Sequence, residues 1–166
     1  MGRAVVTANP SIERTRSCQT LGVMNTRELS QRLFEEGCSP SLYAIGSRGV
    51  ASDAFCLTFN GTQWQVYYTE RGSDEPSIYA SGSESQACEF FFHHIMSLRH
   101  DHCVGIFRSL ERAETLVTKL KEVGVAPSQD RVPYGGPNDL RFRVFVTGRA
   151  VFAARAALGE VPIRDA

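Results

Sequence analysis

One segment constrains the fold of this chain most strongly: two alternating apolar stretches separated by Asn60-Gly61. The apolar positions are Phe55, Leu57 and Phe59 before the pair and Trp64, Val66 and Tyr68 after it. A period of two is typical of strands that bury one face, and Asn-Gly tolerates the positive φ angles of tight hairpin turns. The segment therefore predicts an antiparallel hairpin with one covered face.

A helix is predicted ahead of this hairpin. Asn25 or Thr26 is a suitable capping residue, Leu29 and Leu33 fall on one helical face, and Gly37 is placed to end the helix. Short strands are expected at residues 42–46 and 77–80. The first half of the chain is thus a helix followed by a meander of three or four strands.

The central core helix is predicted to follow the meander. Ser81 and Glu84 have the spacing of a capping box at its start. Its apolar stripe, at three- and four-residue spacing, consists of Ala87, Phe90, Phe91, His94, Ile95 and Leu98. Cys88 is expected to face away from this stripe.

The second half alternates strands and helices. Strands are predicted at residues 104–107, around Val132 and at 141–147, and a helix at 149–158. Another helix, capped by Ser109, has inward positions at Leu110, Ala113, Leu116, Val117 and Leu120. This β-α-β-β-α order is typical of ferredoxin-like modules. The predicted fold class is α+β, with helices on one face of a mainly antiparallel sheet.

These predictions divide the chain into four parts. Residues 1–23 lack periodicity and are expected to be a disordered arm or an over-extended start, with a targeting peptide as the alternative. Residues 24–100 form the first lobe and residues 101–159 the second, and together they are expected to make one compact unit. Residues 160–166 are expected to be a tail.

Composition argues against several classes of function. The 18 basic and 18 acidic residues leave no basic excess for nucleic-acid binding, and no apolar run could span a bilayer. The five cysteines lack CxxC spacing, which favours reduced thiols in a reducing compartment. We therefore expect a cytoplasmic protein that binds neither nucleic acid nor membrane. The cysteines are Cys18, Cys38, Cys56, Cys88 and Cys103.

The four histidines are candidate metal ligands. His93, His94, His100 and His102 lie close together beside Cys103, which invites a zinc interpretation. However, adjacent helical positions point about 100° apart, so His93 and His94 cannot converge on one ion. We expect no metal, with His94 in a core polar contact and His93 and His100 at the negative C-terminal end of the helix.

Catalytic chemistry has little support in the sequence. Cys88 and His93 are five residues apart, about 140° around a helix, so a direct nucleophile–base pair is not expected. The GxSxG, GxGxxG, Walker and HExxH motifs are absent. The chain is therefore predicted not to be an enzyme and to carry no catalytic residue and no cofactor.

Two polar segments are candidates for partner binding, because Tyr and Arg often anchor protein interfaces. The first is a predicted strand end at residues 67–72, and the second is the loop at 134–139, followed by Arg141 and Arg143 on one strand face. The candidate contact residues are Tyr68, Glu70, Arg71, Tyr134, Asp139 and Arg141. The alternatives are an exposed ion pair in the first segment and turn chemistry in the second. A Gly-Gly loop could also cradle phosphate, but this one does not open a helix.

The same segments resemble a bacterial family of immunity proteins from polymorphic toxin systems. That family has a YY-x-E-R-G strand end, here residues 67–72, before an E-x-x-A-C-x-F-F helix, here 84–91. Residues 132–137 and 141–146 are also similar to it. Gly148-Arg149-Ala150 depart from the family, which tends to have an acidic residue in this turn.

The resemblance implies a cytoplasmic inhibitor that binds a cognate toxin, of the kind that degrades NAD, and occludes its active site. Two other hypotheses are open. One is a small metabolite-binding or regulatory α+β module without catalysis. The other is a small hydrolase or transferase built on Cys88 or His93.

Overall fold

The computed structural model describes residues 23–165, within which there are four α-helices and two sheets. The helices are α1 (Thr26–Glu35), α2 (Glu84–Met96), α3 (Leu110–Glu122) and α4 (Ala150–Leu158). The strands of the first sheet are β1 (Tyr43–Gly46), β2 (Ala54–Phe59), β3 (Trp64–Glu70), β4 (Ser73–Asp74) and β5 (Tyr79–Ser81). Those of the second are β6 (Asp101–Phe107), β7 (Ser128–Pro133), β8 (Leu140–Thr147) and β9 (Ile163–Arg164). The architecture confirms the α+β prediction.

Two predictions fall outside the described range. One is the predicted arm at residues 1–23, of which only Val23 lies inside the range. The other is the reduced state of Cys18, which belongs to that arm. Within the range, none of the helices combines the length and apolar character that crossing a membrane requires.

Helix α1 begins and ends where the sequence predicts. The Asn25 side chain accepts a hydrogen bond from the Glu28 N–H at 2.9 Å, and the Glu28 carboxylate accepts one from the Asn25 N–H. Leu29 and Leu33 are fully buried. Gly37 follows the helix with a φ of 69°, a left-handed conformation that favours glycine.

The predicted hairpin is formed by β2 and β3. Leu57 and Val66 are cross-strand neighbours and both are fully buried in the core that includes α2. Its turn is longer than the two-residue turn that the sequence favours, because residues 60–63 separate the strands. The Asn60 side chain accepts hydrogen bonds from two N–H groups of this loop.

The first sheet is not a simple meander. Strand β1 pairs with β2 in parallel, after a connection of residues 47–53 only. Strands β4 and β5 both pair with β3 in antiparallel fashion, each along a different part of it. The mainly antiparallel character is as predicted, but the described residues form two sheets where the prediction had one.

Helix α2 is the core helix of the first half, but its start and one of its faces differ from the prediction. Ser83, not Ser81, is the capping residue, and its side chain accepts a hydrogen bond from the Gln86 N–H. Phe91 is fully buried as predicted. Cys88 is also fully buried, so the expectation that it faces away from the core is wrong.

The second sheet has the strand order β7-β8-β6-β9. The predicted β-α-β-β-α order is present, but the ferredoxin-like prediction is not confirmed, because β9 runs parallel to β6. The tail predicted at residues 160–166 is wrong for Ile163 and Arg164, which form β9. Leu110 was expected to point inward and is 44% exposed.

Two histidine rings form hydrogen bonds near the end of α1, and one of these rings joins the two halves. The His100 ring accepts from the Ser39 N–H at 3.1 Å through Nδ1, and its Nε2 lies 2.8 Å from the Ile95 carbonyl oxygen. The His102 Nε2 lies 2.7 Å from the Gly37 carbonyl oxygen. Because His102 belongs to β6 and Gly37 follows α1, this contact connects the second sheet to the first half.

Candidate binding site on the second sheet

One face of the second sheet is left open by the helices. Val144 and Val146 of β8 point into the core formed with α3 and α4. Since strand side chains alternate, the intervening positions point to the opposite side. We call that side the open face; by strand register it carries Cys103, Ile106, Asp130, Val132, Arg141, Arg143, Phe145 and Arg164.

Arg141 is the most deeply buried cation of the open face. Its side chain is 10% exposed and forms an ion pair with Asp139. Its Nη1 also donates to the Leu140 carbonyl oxygen, and its guanidinium lies 4.7 Å from the centre of the Tyr134 ring. The Arg141 guanidinium lowers the pKa of Asp139, so the pair stays ionised as the pH falls.

The loop before Arg141 explains the first glycine of the Gly135-Gly136 pair. The Tyr134 N–H donates to the Asp139 carbonyl oxygen at 2.8 Å and closes the connection between β7 and β8. A Cβ atom on Gly135 would lie 2.9 Å from a carboxylate oxygen of Asp139. The glycine therefore lets Asp139 reach Arg141, which agrees with the turn-chemistry interpretation.

Arg143 is the second ordered cation of the open face. It pairs with the cross-strand neighbour Asp130 through Nε at 2.9 Å and Nη2 at 2.5 Å. Its guanidinium also lies 5.0 Å from the centre of the Phe145 ring. The face thus presents arginine, aromatic and aliphatic groups whose positions are fixed by neighbours.

A cleft of about 400 Å³ lies beside Arg141, at the end of strands β6 and β9. We call it the arginine cleft; it is lined by Ile106, Arg108, Tyr134, Arg141, Arg164 and Asp165. The sequence prediction missed Arg108 and Arg164. Arg164 lies in the segment expected to be a tail, and nothing in its local pattern indicates that β9 would bring it beside β6.

The predicted contact residues separate into two groups. Tyr134, Asp139 and Arg141 come together at the arginine cleft. Tyr68 lies in the first sheet, where its ring packs on Phe55 at 5.0 Å.

Glu70 and Arg71 lie at the end of β3, where Arg71 is 89% exposed and only 3.9 Å separates its Nε from the Glu70 carboxylate. This exposed pair contributes little to stability. Both groups stay predicted contact surfaces.

The histidines have separate roles. In the described part of the chain, no three His, Cys, Asp or Glu side chains form a group that could hold a metal ion. His100 bonds the Ile95 carbonyl at the end of α2, as expected. His94 does not make the expected polar contact: its Nε2 is buried without a hydrogen-bond partner among residues 23–165, and its ring packs on Phe55 and Phe90.

The described cysteines are poor nucleophiles. Burial, with the nearby Glu84 and Glu28 carboxylates as smaller causes, raises the pKa of Cys88 to about 12. Burial also raises the pKa of Cys103, the cysteine on the open face. Since the unfolded Cys88 thiol loses its proton near 9.0 and the folded one near 12, its contribution to stability falls as the pH rises between these values.

We expect Cys38, Cys56 and Cys88 to resist iodoacetamide in the native protein at about pH 8, because buried protonated thiols react slowly. Mass spectrometry of the peptides reports each cysteine separately, and the same chain in urea is the control in which all of them should react. Rapid native modification of Cys88 would contradict the buried position and would restore the hypothesis of an enzyme built on it.

Comparisons of this chain with protein-family models, curated proteins and solved structures found no match. The resemblance to immunity proteins therefore stays a prediction.

Proposed function

We propose that this chain is a non-catalytic immunity protein that binds a toxin through the open face of the second sheet and occludes the toxin's active site. The observation that carries the proposal is the ordered arrangement of Tyr134, Arg141, Arg143 and Phe145 on one side of the sheet. The open face lies on the side that α3 and α4 leave uncovered.

The composition of the open face supports protein binding. Tyrosine and arginine are enriched among the residues that contribute most to interface affinity. Arg141 and Arg143 are each held by an aspartate and an aromatic ring, so little side-chain entropy is lost when a partner binds. Val132 and Ile106 add apolar area between the charged groups.

The test is co-expression with the toxin domain encoded by a neighbouring gene. The wild-type chain is expected to restore growth and to form a complex with the toxin. Tyr134→Ala removes a ring that is 73% exposed, so its effect on folding should be small. We expect it to weaken the complex by about 2 kcal/mol, or roughly 30-fold.

The matched control is Glu70→Ala, which changes the first-sheet group and should leave the complex unchanged. If Glu70→Ala abolishes the complex and Tyr134→Ala does not, the interface has been assigned to the wrong sheet. If the wild-type chain neither restores growth nor forms a complex with the neighbouring toxin, the immunity proposal is wrong.

A further inference from the structure

We propose that the arginine cleft is a binding site for a phosphate group, either esterified to a small molecule or free in solution. This inference goes beyond the proposed function and does not depend on it, since the cleft would take the ligand whether or not the open face binds a protein.

The geometry brings cations from three neighbouring strands to one place. Strands β8 and β9 flank β6, with Phe107 paired to Phe142 and Ile106 paired to Arg164. Arg141 precedes Phe142 and Arg108 follows Phe107, so these two arginines lie opposite each other just beyond the last pair of the ladder. Arg108, Arg141 and Arg164 all line the same cleft.

These guanidinium groups retain free hydrogen-bond donors. Among residues 23–165, the Arg108 and Arg164 side chains have neither an ion pair nor a hydrogen bond, whereas Arg141 donates only through Nη1. The Arg108 backbone is nevertheless fixed, because its N–H donates to the Asp165 carboxylate at 2.5 Å. The cleft therefore offers free donors on a backbone that is already ordered.

The local charge matches a phosphate dianion. Three arginines and one aspartate line the cleft: Arg108, Arg141, Arg164 and Asp165. Two of these have charged partners nearby, because Arg112 pairs with Asp165 at 2.5 Å and Asp139 pairs with Arg141. Four positive and two negative groups leave a local net charge of +2, although the whole chain has a net charge of zero. A phosphomonoester carries about −1.5 to −2 at pH 7.

A phosphate uses this arrangement better than a carboxylate does. It offers three terminal oxygens, and arginine binds phosphate in the two-point geometry of its planar fork. A carboxylate has two oxygens and one negative charge, so it would leave part of the local charge unpaired. The volume of about 400 Å³ also leaves room for an organic group beside the phosphate, next to the exposed Tyr134 ring.

The experiment is a titration followed by ¹H–¹⁵N NMR, with inorganic phosphate and phenyl phosphate as probes at constant ionic strength. We expect saturable shifts of the Ile106, Arg108 and Asp165 amide signals. Benzoate is the carboxylate that corresponds to phenyl phosphate, and it should bind about tenfold more weakly. Sodium chloride controls for screening.

The test variant combines Arg108→Gln and Arg164→Gln, because both side chains are exposed and neither has an ion pair or hydrogen bond within residues 23–165. Its affinity for phosphate should fall at least about tenfold. Arg131→Gln is the matched control: it removes an exposed arginine from β7, whose register with Phe142 places it on the opposite side of the sheet. The phosphate affinity of the Arg131→Gln variant should equal that of the wild type. Thermal unfolding should verify that all variants fold.

Tighter binding of phenyl phosphate than of inorganic phosphate would support an organic phosphate as the ligand, and equal binding would support recognition of the phosphate group alone. The proposal is overturned by any of three results: no saturation by about 10 mM phosphate, equal binding of benzoate and phenyl phosphate, or unchanged affinity in the double variant. None of these measurements involves a toxin, so they succeed or fail separately from the proposed function.

Discussion

Replacing Phe91 by alanine is expected to lower the free energy of unfolding by about 3–5 kcal/mol, the largest effect predicted for a single substitution here. Phe91 is fully buried in the core that α1 and α2 form with the first sheet, and its ring lies 6.5 Å from the Tyr43 ring in an edge-to-face arrangement. Alanine would remove most of the buried apolar area and leave a cavity that neighbouring side chains fill only partly.

Denaturant unfolding followed by circular dichroism measures this effect. The matched control is Phe59→Ala, which makes the same substitution at a residue 49% exposed near the end of the hairpin. Its cost should be about 1 kcal/mol, from the lost packing on Trp64. A loss below about 1 kcal/mol for Phe91→Ala would mean that the buried face of α2 has been misassigned.

Gly37→Ala is expected to lower the free energy of unfolding by about 3 kcal/mol or more, for two separate reasons. The first is conformational, since Gly37 has a φ of 69°. The second is steric. A Cβ atom there would lie 2.5 Å from the Gly148 carbonyl carbon and 2.6 Å from the Arg149 nitrogen, both of them backbone atoms in the second half.

Gly124→Ala separates the two contributions. Gly124 has a φ of 77°, but a Cβ atom there would have no neighbour within 4 Å. It should cost about 1 kcal/mol, the conformational share alone. Chemical denaturation of both variants gives the comparison. Equal losses in the two variants would show that the halves do not approach as closely at Gly37 as the structure indicates.

Local signals in the sequence predicted much of the fold. The caps of α1 and α3 and the alternation in β2 and β3 are each decided within a few residues, so periodicity and capping rules suffice. The same rule placed Arg141 and Arg143 on one face of β8. The observed cap of α2 is Ser83, two residues after the predicted cap Ser81. Helix boundaries commonly differ by this much between assignments.

The missed features depend on contacts between distant parts of the chain. The parallel pairing of β1 with β2 follows an unusually short connection, and β9 contains only two paired residues. Asp165 anchors β9 through Arg112 and the Arg108 N–H, residues more than fifty positions earlier in the chain. The arginine cleft depends on that pairing, so no local pattern could have predicted it.

The position of β9 has a practical consequence for anyone producing this protein. Any polypeptide that follows Asp165, such as a purification tag or fluorescent reporter, begins beside the arginine cleft, which Arg164 and Asp165 line. Acidic residues in such an appendage could occupy the guanidinium groups and mask a genuine ligand. Fusions are better attached ahead of α1, which packs on α2 in the other half of the molecule.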